Sequence, residues 1–132
     1  MNQRGFATLE VILMVMVIGI LASIAVPRFT SVTTAANTAK VQADLTTLDA
    51  AISVYYMDNG DYPAGTDISV LENYVNGAKD NDLKPPKGKV YLGGTEQSVS
   101  ATTYTMQNFT SNSVTVKRAV YGTGNTAEKF HK

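Results

Sequence analysis

The sequence predicts an α+β fold: one long N-terminal α-helix, its first half fit to cross a membrane, packed through its second half on a small antiparallel β-sheet. Three observations carry this. An uncharged apolar run extends from Val11 to Val26, an apolar stripe of helical spacing follows from Val41 to Tyr55, and strand-like segments fill the C-terminal third. The chain has 132 residues, which is room for one domain besides the apolar segment. There is no Cys and no Trp, so neither a disulfide framework nor a thiolate metal site is available. Lys+Arg and Asp+Glu are both 11, and no global field marks nucleic acid or an anionic surface as partner.

The N-terminus opens with the short, positive stretch Met1-Asn2-Gln3-Arg4-Gly5. From Phe6 to Val26 is about 21 residues, roughly 31 Å as a helix and enough to span a bilayer core. Arg4 and the starting amine hold the first residues on the cytoplasmic side, which sends the body outward. Glu10 is the residue a plain anchor leaves unexplained, because an acid near the bilayer costs about 1–3 kcal/mol. If the chain is cut after Gly5, the new Phe6 amine lies one helical turn from Glu10. Glu10 of one helix then neutralises the Phe6 amine of a neighbour staggered by a turn, in lipid where screening is weak. Two other readings remain beside this one. Glu10 can mark the interface edge of a simple signal anchor. Alternatively, Arg4, Val11 to Ile24 and Ser23-Ile24-Ala25 can compose an ordinary secretory signal with its cleavage site.

The stretch RGFATLEVILMVMVIGILASIAVPRF resembles the N-terminus of type IV pilins and the related pseudopilins of type II secretion. It has a basic residue before Gly5, Phe6 after the cut, Glu10 as fifth residue of the mature chain, a long apolar run, and Pro27. Ala7-Thr8-Leu9 departs from the commoner ordering without moving Glu10. The resemblance implies cleavage between Gly5 and Phe6 and N-methylation of Phe6 by a prepilin peptidase, with Phe6 and Glu10 serving filament assembly. It also implies partners: identical subunits in a homopolymer, inner-membrane machinery with a cytoplasmic ATPase, and minor pilins. No cofactor is expected. The precursor would sit in the cytoplasmic membrane and the product in an extracellular filament.

Four regions follow: 1–5 leader, 6–27 membrane and filament-core helix, 28–58 amphipathic continuation, and 59–132 a small sheet domain. Pro27 lacks the donor for the Ser23 carbonyl and Gly19 lowers helix propensity, so the helix is expected to be weak between them. Residues 28–39 offer little to bury and are left for neighbouring subunits to cover. Val41, Leu45, Leu48, Ile52 and Tyr55 then form a 4-3-4-3 stripe, with Lys40, Gln42, Asp44 and Asp49 largely off it. Asn59-Gly60 supplies a left-handed stop and Pro63 prevents resumption. The pattern YYMDNGDYP over 55–63 also resembles pilins and the major pseudopilin.

Beyond it, Ser69 to Gly77 reads as a short helix capped by Asp67 or Ser69, with Val70, Leu71, Tyr74 and Val75 for the core. Strands are predicted at Lys89 to Gly93, Thr102 to Phe109 and Ser113 to Tyr121, in one sheet of three or four strands. Tyr104, Met106, Val114, Val116 and Val120 are expected to face the helix. Gly122 to Lys132 is expected to be a loose tail.

Asp58, Asp61, Asp67, Asp80 and Asp82 could together supply oxygens for a hard cation, but their spacing fits no calcium loop and solvated turn chemistry accounts for Asp-Asn-Gly. The secretion pseudopilins commonly carry a calcium loop and a Trp-Gly-x-Pro-Tyr-like stretch. This chain has neither Trp nor more than Glu96 in its 93–100 loop, which favours a type IV pilin over the pseudopilin. Lys84, Lys87, Lys89, Lys117, Arg118, Lys129 and Lys132 could form a basic strip for DNA phosphates, weighed against scattered solvated charges. Gly122-Thr123-Gly124 lacks the rest of a phosphate loop. His131, the only His, assembles no triad or metal site. Asn108-Phe109-Thr110 matches a glycosylation sequon. The function that follows is polymerisation rather than catalysis.

Overall fold

A computed structural model describes residues 3–79 and 82–132. One helix, α1, runs Gln3–Asn59 and passes through Pro27 without interruption. The chain divides into two units, residues up to Thr33 and residues from Thr34 onward.

In the first unit α1 is alone. Its large apolar side chains, from Phe6 at 66% exposure to Val32 at 64%, have nothing packed on them. The expected weakness between Gly19 and Pro27 does not break the helix. Pro27 withholds an N–H from the Ser23 carbonyl, and hydroxyls bond to carbonyls on either side of it: Ser23 Oγ donates to Ile20 O at 2.7 Å and Ser31 Oγ to Arg28 O at 2.9 Å.

In the second unit the predicted stripe is the core face of α1. Val41, Leu45, Leu48 and Ile52 are 1% exposed or less, and Tyr55 packs at the edge, its ring 5.5 Å from that of Tyr74. The helix ends where Asn59-Gly60 predicts, with Gly60 at φ 74° and its N–H donating to Tyr56 O at 2.8 Å. Four strands follow: β1 Lys89–Leu92, β2 Thr95–Ser98, β3 Tyr104–Ser111 and β4 Val114–Tyr121. Between α1 and β1 a single 3-10 turn, Ile68–Leu71, replaces the expected helix to Gly77. Asp67 caps it through Ser69 N at 2.9 Å. Ile68 and Leu71 are buried there, while Val70 points out at 42% exposure.

The single sheet of the sequence reading is two separate antiparallel hairpins, β1-β2 and β3-β4. Their backbone donors are met by other elements. Tyr91 N–H donates to Thr38 Oγ1 of α1 at 2.8 Å, and Gly93 N–H and Gly94 N–H donate to the carbonyls of Lys129 and His131 at 2.8 and 3.2 Å. Met106 N–H of β3 donates to Thr66 O at 2.8 Å. The strand β2, exposed throughout, was not predicted. Its residues Thr95, Glu96, Gln97 and Ser98 are all polar and show no apolar alternation.

The C-terminal residues are not loose. Phe130 is 1% exposed and packs edge-on against Tyr121, the ring centres 5.6 Å apart. Thr126 and Ala127 are buried, and Gly124 N–H donates to Gln107 Oε1 at 3.1 Å. The tail completes the core, because one large aromatic removes more apolar area from water than the surrounding Gly, Thr and Lys expose. Two strand assignments also change. Tyr104, Met106 and Val120 are buried as expected, whereas Val114 and Val116 are 63% and 36% exposed on the half of the hairpin that leaves the core. Thr34 and Thr38, which were left for neighbours to cover, are buried at 2% and 6%.

Candidate functional site

The residues expected to serve processing and assembly all lie on the N-terminal part of α1. Met1 and Asn2 of the expected leader fall outside the described residues; Arg4, Gly5 and Phe6 are helical and exposed. Phe6 and Glu10 are four residues apart on one helix face, about 6 Å at Cβ. Glu10 stands at one end of a shallow apolar groove whose other walls are Leu13, Met14, Val17 and Ile18. The site therefore offers a carboxyl side chain set in apolar surface, with no cation partner among the described residues. Gly5 and Gly19 have open space where a side chain would project.

This first segment is the one helix among the described residues long and apolar enough to cross a membrane, and none of its most apolar stretch is buried.

The other predicted groups separate on inspection. Asp61 accepts from its neighbour Tyr62 N at 2.7 Å, Asp67 is occupied as a cap, and Asp80 lies outside the described residues. Among the described residues no group of three or more His, Cys, Asp or Glu side chains could hold a metal ion. Several of the basic residues are engaged within the fold. Lys89 pairs with Glu96 at 3.0 Å, and Lys117 donates to the carbonyls of Pro63 and Gly65. Lys132 lies 5.9 Å over the Tyr91 ring.

Sequence reasoning missed the polar network that ties α1 to the hairpins. Asp49 Oδ2 accepts from Arg118 Nη2 at 2.8 Å and its Oδ1 from Ala119 N at 2.7 Å, while Arg118 also pairs with Glu128 at 2.6 Å. The Thr126 side chain and Arg118 together hold the Glu128 carboxyl down at about 2. Asp44 Oδ2 accepts from Tyr104 Oη at 2.8 Å and from Lys40 Nζ at 2.5 Å. Asp44 and Asp49 border the apolar stripe at helical spacing, and that flanking position was the available signal.

An exposed apolar helix, carrying an acid near its start and continuing into a domain of small antiparallel hairpins, is the arrangement that the resemblance to pilins and pseudopilins implies. Similarity to known proteins supports the pilin and pseudopilin superfamily as the class. Over 62 residues the chain is 39% identical to the type II secretion system core protein G of Klebsiella pneumoniae, covering 47% of this chain and 44% of that protein. Against the protein of the same name from Escherichia coli (strain K12) the identity is 38% over 62 residues, 47% of this chain and 43% of the relative. For that of Vibrio cholerae serotype O1 it is 39% over 62 residues, 47% and 42%. The match thus spans less than half the length of these curated relatives. No family model matches the chain, and no solved structure matches it.

Proposed function

We propose that this chain is the major-type pseudopilin of a type II secretion system, a subunit that polymerises into a short filament and moves cargo outward. The observation that carries the proposal is the likeness to proteins named core protein G of that system, at 34–39% identity over about half the chain. This reverses the preference for a type IV pilin, which rested on the missing Trp and the acid-poor 93–100 loop. Relatives named for secretion outweigh those two absences. The ion pairs of Arg118 with Asp49 and Glu128 give the C-terminal half an internal cross-link that needs no metal.

In this reading a prepilin peptidase cuts between Gly5 and Phe6 and methylates the new amine. The Phe6 ammonium of each subunit meets Glu10 of its neighbour, while Leu13, Met14, Val17 and Ile18 pack in the fibre core. Inner-membrane machinery with a cytoplasmic ATPase adds subunits, and pilin-like minor subunits start the filament. The reading assigns no catalytic residue.

The test is complementation in a type II-secreting bacterium lacking its own protein G, followed by intact-mass analysis of the chain. Restored secretion, with a chain that begins at Phe6 and is heavier by one methyl group, supports the reading. The same mature chain in long surface fibres with no effect on secretion returns the type IV pilin. A chain cut among Ser23, Ile24 and Ala25 means a secretory signal and ends the filament reading. Glu10→Ala should be processed normally yet yield far less polymer; wild-type yield from it would refute the Phe6–Glu10 pairing.

A further inference from the structure

In the folded unit beginning at Thr34, exposed Lys84 and Lys87 near one end of α1 and exposed Asp58 and Asp61 near the other are engaged in no ion pair among the described residues, and Asp82 is exposed two residues before Lys84. At the end where α1 enters, Asn37 Nδ2 donates to the carbonyls of Lys87 and Lys89, both at 3.1 Å, and Lys40 Nζ donates to Lys84 O at 3.3 Å. Those bonds hold the segment Lys84-Pro85-Pro86-Lys87 beside α1. The Lys84 and Lys87 side chains are exposed there, and neither has an acidic partner among the described residues. Between them runs a shallow groove with Pro86, Val99 and Ala101 in its lining.

At the far end of α1 the signs reverse. Asp58 and Asp61 are exposed and no cation reaches either of them among the described residues. Lys117 is held by the Pro63 and Gly65 carbonyls instead. Beside Asp58, Tyr56 and Met57 stand 44% and 79% exposed. The spacing relates the two ends. From Lys40 to Asp58 is about five turns of 3.6 residues, which sets the two ends about 27 Å apart along α1.

We propose that Lys84 and Lys87 of one subunit dock on Asp58 and Asp61 of a second copy that lies beside it, staggered by about 27 Å along the helix axis. The contact rests on the filament reading above and adds a second register mark to it, outside the apolar segment. Two different patches meet, so the contact is heterologous; a copy always leaves one end of each sign free, and the assembly stays open-ended. Charges in water contribute mainly to register and to rejection of wrong alignments, and the contact weakens as salt rises.

The chain has no native Cys, so a thiol pair reports cleanly. In the full-length Asp58→Cys/Lys87→Cys variant, assembled filaments treated with a short thiol-to-thiol linker should give a ladder of dimers, trimers and larger multimers, and each single variant should give none. Filaments without a ladder overturn the contact and leave the filament reading standing. Absence of polymer from the wild-type chain overturns both. In a second experiment, Lys84→Glu/Lys87→Glu should cut filament yield by about tenfold, and adding Asp58→Lys/Asp61→Lys should restore it. Undiminished yield from the first pair, or no recovery in the fourfold variant, refutes the contact. A polymer that is intact, lacks the ladder and retains added DNA would assign the lysines to a polyanion instead.

Discussion

Asp49 of α1 and Arg118 of β4 meet at 2.8 Å, and the same carboxylate takes the Ala119 N–H at 2.7 Å through its other oxygen. One side chain on the helix thus fixes both the position and the backbone register of the strand behind it.

Asp49→Ala removes the acceptor for a backbone donor in a mostly buried place and leaves Arg118 with Glu128 alone. The expected loss is about 2–3 kcal/mol of folding stability. Asp49→Asn, which keeps one oxygen for Ala119 N–H, should lose less. Chemical unfolding of the detergent-solubilised chain, followed by near-ultraviolet tyrosine signal, ranks the two; equal losses would mean the Ala119 bond contributes nothing.

Tyr104 is 1% exposed, and burial first, then its hydrogen bond to Asp44, drives its ionisation far above the ordinary phenol range. The folded phenol keeps its proton after the unfolded one has lost it. Stability is therefore undiminished below about pH 10 and falls above it by up to about 1.4 kcal/mol per pH unit. Tyr104→Phe should cost about 1 kcal/mol at neutral pH and flatten this alkaline limb. An unchanged limb in the variant would assign the alkaline transition to another group.

Glu128 works in the opposite direction. Its carboxyl, lowered to about 2 by the Thr126 side chain and Arg118, stabilises the fold while ionised. That contribution is complete above the unfolded value near 4.5 and disappears as pH falls toward 2. Glu128→Gln should be less stable at pH 6 and nearly equal to wild type at pH 2. Parallel acid profiles would disprove the role.

Phe130→Ala should cost about 3–5 kcal/mol, because it empties a site closed by Tyr121 on one side. Faster proteolysis of the β1-β2 hairpin should accompany the loss, since Gly93 and Gly94 hang on the carbonyls of Lys129 and His131. A variant as stable as wild type would restore the view of this segment as a tail.

What could be read in advance followed from local rules. The stripe Val41, Leu45, Leu48, Ile52 announces its helix by periodicity, and Asn59-Gly60 announces the stop by backbone preference. Phe6 and Glu10 stand out as candidates because an acid beside an apolar run is costly wherever it occurs. The illegible parts depend on partners far along the chain. Thr38 reads as helix surface until Tyr91 places an N–H on its hydroxyl, and Asp44 reads as solvated until Tyr104 arrives 60 residues later. Phe130 stands among Glu, Lys and His, with no periodicity to declare which way it faces. The separation of the hairpins escaped for the same reason: what caps β1 is a threonine and a stretch of coil, not another strand.

The β3-β4 hairpin turns at Asn112 and Ser113, both left-handed at φ 50° and 65°, and from Thr110 to Val116 every residue is exposed. No core contact depends on that tip, and the turn is held by the paired strands below it. It is a place where a passenger peptide, an epitope or a fluorophore-binding sequence can be spliced in while the chain stays folded. Such a label would make individual copies of the chain countable in living cells.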